Sequence, residues 1–478
     1  MSFWILVLLV SLAGLLWSSC SRKLPPGPMG LPVIGNLHML RDLPHRSLHR
    51  LSKKYGSIMF IRLGLVPAVV VSSPQAAELF LKTYDEVFAS RANAQAVECL
   101  FYGNNSLVFL HYGPYWRNIR KICTLELLTN LKVEYFSPMR KEEVSNLVKS
   151  LRVTAKAQTV VDLSFMVQSL MEDMTFLMLF GSKDDRFDFK PVVQETLRLT
   201  GTFNVADYGL NHRFKTTSKV LGKYLEEIIE EHVRDARETR ATKNTVFIQV
   251  MLSLMESQKH GLDRENVKAI MVDMLAAAMD TSSTVIEWAF SELMRHPRVM
   301  NRVQEELQNV VGNRLVDETD FSKLSYLDMV VKETLRLHPA SPLTVPHEST
   351  EEIMIDGYLI PKKSKILINI FAIGRDPNAW SENTEAFYPE RFIGTNIDLR
   401  GREFQLIPFG SGRRSCPGIQ MGLTVVRLVL AQLLHCFNWE LPEGTFPKNL
   451  YMSERFGQTV PRANHLVLIP TSRNAVNE

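Results

Sequence analysis

Cysteine is scarce in this chain of 478 residues: Cys20, Cys99, Cys123, Cys416 and Cys436 are the whole supply. They are odd in number and widely scattered, which excludes a disulfide framework and points to a reducing environment around the main body. No C-x-x-C pair is present, so a zinc ribbon is excluded as well. Charge of one sign is also missing, with 55 Lys+Arg against 51 Asp+Glu. That balance, without a basic tail, argues against a nucleic-acid partner. No Gly-x-Gly-x-x-Gly stretch stands in a dinucleotide-binding context, so the chain is not expected to bind NADPH itself. Internal repeats are lacking too. What is abundant is apolar residue, 45% against 22% charged, enough for a large core.

One long uncharged run exists, Phe3 to Cys20. As a helix it spans about 27 Å, close to the hydrocarbon thickness of a bilayer. A cleaved signal peptide is the rival, but that would carry a positive n-region and a shorter apolar core. Here the basic residues, Arg22 and Lys23, follow the run, which places the body in the cytosol by the positive-inside rule. The expected organisation is a signal anchor over 1–21, a stiff Leu24-Pro25-Pro26-Gly27-Pro28 hinge within 22–36, and one body over 37–478. Helices are expected at 44–55, 114–128, 136–156, 161–180, 213–239, 245–256 and 263–295, with two more after Pro297 and a last one to about His435. Paired strands are expected around Gly64–Pro67, a hairpin at Asp356-Gly357 and a strand over 366–370. Residues 92–113 have no clean period and read as a binding loop. The architecture is mainly α with small β-sheets.

The most informative stretch is Pro408-Phe409-Gly410-Ser411-Gly412-Arg413-Arg414-Ser415-Cys416-Pro417-Gly418. It sets one cysteine in a glycine-punctuated loop before an apolar helix, with arginines beside it, a context that favours thiolate. Thiolate binds iron, whereas a buried structural cysteine is the ordinary alternative. The pattern Phe-x-x-Gly-x-Arg-x-Cys-x-Gly resembles the haem-ligand signature of the cytochrome P450 family. Five fixed positions of this kind arise by chance in roughly one chain of this length in ten thousand. The resemblance implies haem b, Cys416 as its axial ligand, and Phe409, Gly410 and Gly418 against the ring.

Further motifs match that family in order. Trp116 and Arg120 lie four apart on one helix face; by resemblance both bond a haem propionate, joined by Arg414 and, more weakly, His111. Ala276-Ala277-Ala278-Met279-Asp280-Thr281 puts a carboxylate and a hydroxyl in an apolar helix, where burial is costly unless they are bonded or used. It resembles the oxygen-activation motif, with Thr281 beside dioxygen and Asp280 feeding it protons; Ala278 stands where glycine is usual. Glu333, Arg336 and Arg391 match the Glu-x-x-Arg and Pro-Glu-Arg-Phe elements that hold the cysteine loop. Substrate contacts, carried over by segment, fall at Val108, Phe109, Phe203, Asn204, Ala277, Met279, Ser341, Leu343, Thr344, Gln458 and Thr459.

The hinge and haem loop are similar to those of microsomal plant members of secondary metabolism. The implied reaction is insertion of one oxygen atom from O2 into a small hydrophobic terpenoid, phenylpropanoid or other aromatic. The implied partner is a membrane-bound NADPH–cytochrome P450 reductase, docking on Arg117, Lys121 and Arg413, and the implied location is the endoplasmic reticulum membrane with the body in the cytosol. A haem-thiolate isomerase or dehydratase acting on hydroperoxides, and a non-catalytic haem protein, are the alternatives.

Overall fold

The computed structural model describes residues 23–92, 95–183, 189–200, 211–239, 246–258, 260–380 and 383–473. The expected anchor over 1–21 and the substrate candidates Phe203 and Asn204 lie outside the described residues. The body is mainly helical with small sheets, as the composition and periodicity require. Its spine is the helix Arg264–Arg295, opened by an Asp263 cap whose carboxylate accepts from Asn266 N at 2.8 Å. This helix packs between Leu163–Phe180 and the C-terminal helix Ile419–Cys436. All three are long and apolar enough to cross a membrane, yet most of their length is enclosed by the body.

Strands Ile58–Leu63 and Val66–Val71 pair antiparallel, and Val66–Val71 pairs in parallel with Lys365–Ile368. The expected strand over 366–370 therefore stops at Ile368. Asn369 caps a short helix, Ile370–Ile373, by accepting from Ala372 N. The Asp356-Gly357 hairpin forms as expected, with φ of 50° and 79° at its two turn residues. The expected 114–128 helix is α-helical over Pro114–Ile122 and continues as a π-turn over Cys123–Leu127. The helices Gln95–Leu100, Asn130–Tyr135 and Phe189–Thr200 are among those the sequence did not reveal. The first is too short for a period to emerge, and it lies in the segment read as a loop.

The hinge is not a free spacer over its whole length. Phe60 N donates to Pro26 O at 3.0 Å, and Leu359 N to Lys23 O at 2.7 Å. A side chain at Gly27 would lie 1.8 Å from the Phe60 carbonyl oxygen, so only glycine lets the chain press onto the strand there.

Candidate active site

The cysteine loop is held by its own backbone and by the segment beneath it. Cys416 N donates to Phe409 O at 2.8 Å, and Ser411 Oγ donates to Gly401 O at 2.6 Å. Gly412, at φ 68°, has the carbonyl of Leu81 where a Cβ would sit, 2.2 Å away. Arg413 N and Nη1 each donate to Asp85 Oδ2 at 3.0 Å, seating the loop on residues 81–85. Cys416 is half-buried and opens onto a cavity of about 390 Å³. The expectation of a thiolate bias does not hold for the free thiol. Burial pushes its pKa up, outweighing the Gly418 amide and the Arg120 guanidinium.

Beside the cysteine the cavity is cationic. Arg91, Arg120, Arg414 and His347 line it together with Trp116. Arg414 donates to the carbonyls of Ala89, Leu107 and Leu110 and lies 4.1 Å over the Trp116 ring. Arg120 donates to Ser415 O at 2.7 Å, and Arg91 to the carbonyls of Val108 and Val345. None of the three forms a salt bridge to a carboxylate among the described residues. Burial lowers the pKa of all three, and His347 is held well below its usual range by burial and by Arg91. Buried guanidiniums without an anion are costly, so this cluster is built for an anionic group brought by a ligand. The two propionates of haem b suit that charge, and the Cys416 thiol on the cavity wall suits its iron.

Arg91 and His347 were missed in the sequence; neither sits in a motif, and only the fold brings them here. Trp116 gives its N–H to Leu107 O at 3.0 Å, so it supports Arg414 by its ring face. His111 is exposed, bonds Ser90 Oγ at 3.0 Å and does not line the cavity.

The long helix forms the opposite wall through Ala276, Ala277, Ala278 and Thr281. Thr281 Oγ1 donates to Ala277 O at 2.7 Å. Asp280 points away from the cavity; burial and nearby Glu172 raise its carboxyl to about 6, against the pull of Arg455. Met279 does not face the cavity. It lies two residues past Ala277, about 200° around the helix, and packs in the core. Seven residues before Asp280, Asp273 does line the cavity, a residue the motif reading passed over. It accepts from Ser106 Oγ at 2.8 Å and from Leu107 N at 2.5 Å, fixing the loop that presents Val108 and Phe109.

Ser341, Thr344, Gln458 and Thr459 complete the wall, while Leu343 turns into the core beside Leu48, Met59 and Leu367. Thr344 is unusual: φ is 50° at a β-branched residue, and its buried hydroxyl has no partner. Such backbone strain costs on the order of 1–3 kcal/mol, and an unmet hydroxyl about as much again.

Behind the site, Arg336 Nε and Nη2 grip Glu333 at 2.8 and 2.9 Å, and Arg391 Nε reaches the same carboxylate at 2.9 Å. Arg336 Nη1 also donates to Gly374 O and Thr384 O, so the helix Ser325–Leu337 ties down the irregular segment leading towards the cysteine loop.

The cytochrome P450 family profile matches residues 25–467. The chain is 53% identical to cytochrome P450 CYP736A12 of Panax ginseng, covering 99% of this chain and 97% of that one. It is 42% identical to desmethyl-deoxy-podophyllotoxin synthase of Sinopodophyllum hexandrum, over 94% and 92% of the two chains. Identity to germacrene A hydroxylase of Saussurea costus is also 42%, over 94% of each. With a thiol, an apolar chamber and a cationic cluster lacking its anion at one cavity, the chain belongs to the cytochrome P450 family and is a haem-b monooxygenase.

Proposed function

We propose that this protein is anchored in the endoplasmic reticulum membrane and inserts one oxygen atom into a small hydrophobic secondary metabolite, a terpenoid, phenylpropanoid or other aromatic, drawing electrons from NADPH–cytochrome P450 reductase. The observation that carries the chemistry is the single cavity shared by Cys416, the arginine cluster and Thr281. Cys416 Sγ would hold the haem iron, and Arg91, Arg120 and Arg414 would hold the propionates. Haem b so bound supplies reductive activation of O2 and transfer of one of its atoms to carbon, the other leaving as water. Thr281 Oγ1, already donating to Ala277 O, keeps lone pairs free to accept a proton and pass its own forward. Asp280, with its pKa near 6, is placed one residue away to resupply that hydroxyl. Apolar side chains such as Phe101, Met174, Leu179 and Val285 keep bulk water from the chamber and orient an oily substrate.

Anchoring is supported by the uncharged run Phe3 to Cys20 and by the exposed apolar side chains Met29, Leu31, Val33 and Leu65 beside the hinge. Reductase docking is supported by Arg117 and Lys121, both exposed; Arg413, engaged with Asp85 and Tyr112, is a weaker contributor. The substrate class is supported by the relatives named germacrene A hydroxylase and desmethyl-deoxy-podophyllotoxin synthase. Turnover with purified reductase, NADPH and 18O2 tests the reading. One labelled oxygen per product molecule is expected. Conversion of a hydroperoxide without NADPH, and no labelled product, would point instead to a rearrangement enzyme.

A further inference from the structure

We infer that the substrate already carries a hydroxyl or carbonyl oxygen when it enters the cavity, and that this oxygen docks on Gln458, Thr459 and Thr344. The inference rests on the monooxygenase reading and names its substrate class more closely.

Most polar groups on the cavity wall are already engaged. Thr175 and Thr281 bond their own helix, Ser411 bonds Gly401, and Asp273 is occupied by Ser106 and Leu107. The arginines form the cationic end suited to the propionates, and His347 bonds Phe88 O. Ser282 on the long helix and three groups on one other wall stand out because they are not engaged. The Gln458 amide and the Thr459 hydroxyl make no hydrogen bond among the described residues, and the Thr344 hydroxyl is buried without a partner.

These three belong to one wall. Val460 N donates to Ala340 O at 2.9 Å and Ser341 Oγ to Gln458 O at 3.3 Å, which zips segment 340–344 to segment 458–460. Thr344 is held there at φ 50°, a conformation that β-branched residues seldom adopt. Strain and an unmet hydroxyl at one cavity residue are features that persist where the surroundings impose them, commonly at ligand contacts. Together the groups offer two hydroxyls and an amide, able both to donate and to accept, but no fixed charge. They suit an alcohol or ketone oxygen, since none of the three carries a charge. A bare hydrocarbon would leave all three unmet, and a site built to hydrogen-bond an oxygen discriminates strongly against the analogue lacking it. An earlier oxygenation, or a cyclisation that captures water, must therefore supply the substrate, and this enzyme adds a further oxygen to it.

The test is equilibrium dialysis of the full-length, haem-loaded protein with matched probes: limonene and perillyl alcohol, p-cymene and thymol, cedrene and cedrol. Partition alone favours the hydrocarbon of each pair, since it carries more apolar surface per polar atom. The expected result is that at least one alcohol binds about tenfold more tightly than its hydrocarbon. In Gln458→Leu/Thr459→Val that preference falls to about twofold or less, while hydrocarbon affinity is retained. If every hydrocarbon binds as tightly as its alcohol, if no probe shows the preference, or if the preference survives in the double variant, the inference is wrong. Should the double variant fail to load haem, the wild-type ratios decide alone, and Thr344→Val provides the second variant. Binding preference without NADPH-dependent product would remove the monooxygenase reading and leave this one standing; oxygenation of hydrocarbons without preference would do the reverse.

Discussion

Ser106 donates its hydroxyl to Asp273 Oδ1 at 2.8 Å, and both side chains are buried. This bond joins the loop before the Pro114–Ile122 helix to the middle of the long helix, two turns from Thr281, so the wall carrying Val108 and Phe109 is set by one carboxyl group. Asp273→Ala strands the Ser106 hydroxyl and the Leu107 amide. A loss of about 1–3 kcal/mol in folding stability is expected, with a raised KM and a smaller change in kcat. Urea denaturation of the haem-loaded variant and steady-state kinetics check the two parts. An unchanged KM would mean that the loop holds its position without Asp273.

The same residue titrates unusually. Burial pushes its pKa from 3.8 up to about 7, although Ser106 and the Leu107 amide pull the other way. Between those two values the folded state binds more protons than the unfolded chain. The contribution of Asp273 to stability is therefore greatest below about pH 4, falls as pH rises towards 7, and is level above that. Asp273→Asn removes this step. Stability measured at half-unit intervals from pH 5 to 8 should decline less steeply in the variant than in the wild type. Parallel curves would show that Asp273 has an ordinary pKa.

The cationic cluster gives a prediction that no motif supplied. Arg91→Leu removes a buried guanidinium that has only carbonyl partners, so little native pairing is lost. Haem retention should fall severalfold while secondary structure is kept. His111→Ala, remote from the cavity, should keep its haem. The ratio of haem absorbance to protein, after gel filtration, separates the two. Equal retention in Arg91→Leu and wild type would exclude Arg91 from propionate binding.

What could be read in advance depended on distance along the chain. The cysteine loop, Glu333 with Arg336, and Asp280 with Thr281 are each local patterns, and their spacing alone puts them on one loop or one helix. Arg91 and His347 share a cavity only because Ser90 bridges to Glu348, far along the chain, so nothing local marks them. Met279 was a different failure. The resemblance carries it over by segment, whereas helical phase already places it on the face away from Ala277. Leu343 and Thr344 are neighbours that part company, one into the core and one onto the cavity, because Thr344 takes a positive φ. Gln458 and Thr459 come to the cavity through long-range backbone pairing with residues near 340.

Ligation has a direct check. Cys416 alone among the described cysteines lines the cavity, while Cys436 is buried against Gln432 in the C-terminal helix. Reduced protein with carbon monoxide should show the long-wavelength band of thiolate ligation. Cys416→Ala should lose it and Cys436→Ala should keep it. A band that persists without Cys416 would require another sulfur at the iron and would undo the site assignment.

Thr281 decides whether protons are delivered through the long helix. Its hydroxyl donates to Ala277 O at 2.7 Å, which alone would be an ordinary helix back-bond, frequent wherever threonine sits in a helix. Two features argue for more. Thr281 lines the same cavity as Cys416, and the adjacent carboxyl, Asp280, is raised to about 6, a value suited to giving and retaking protons near neutrality. General acid–base assistance of this kind is typically worth about 10² to 10⁴ in rate, and water can replace part of it. In Thr281→Ala the rate of product formation should fall by at least about tenfold without vanishing, whereas NADPH oxidation should fall less. The surplus electrons should appear as hydrogen peroxide in solution. Asp280→Asn should lower the yield of product per NADPH in the same direction, because Thr281 keeps its place but loses the titratable carboxyl adjacent in sequence. Product, NADPH and peroxide measured together give the answer. If Thr281→Ala keeps full product per NADPH on its substrate, the hydroxyl serves the helix alone, and protons reach the cavity by another route.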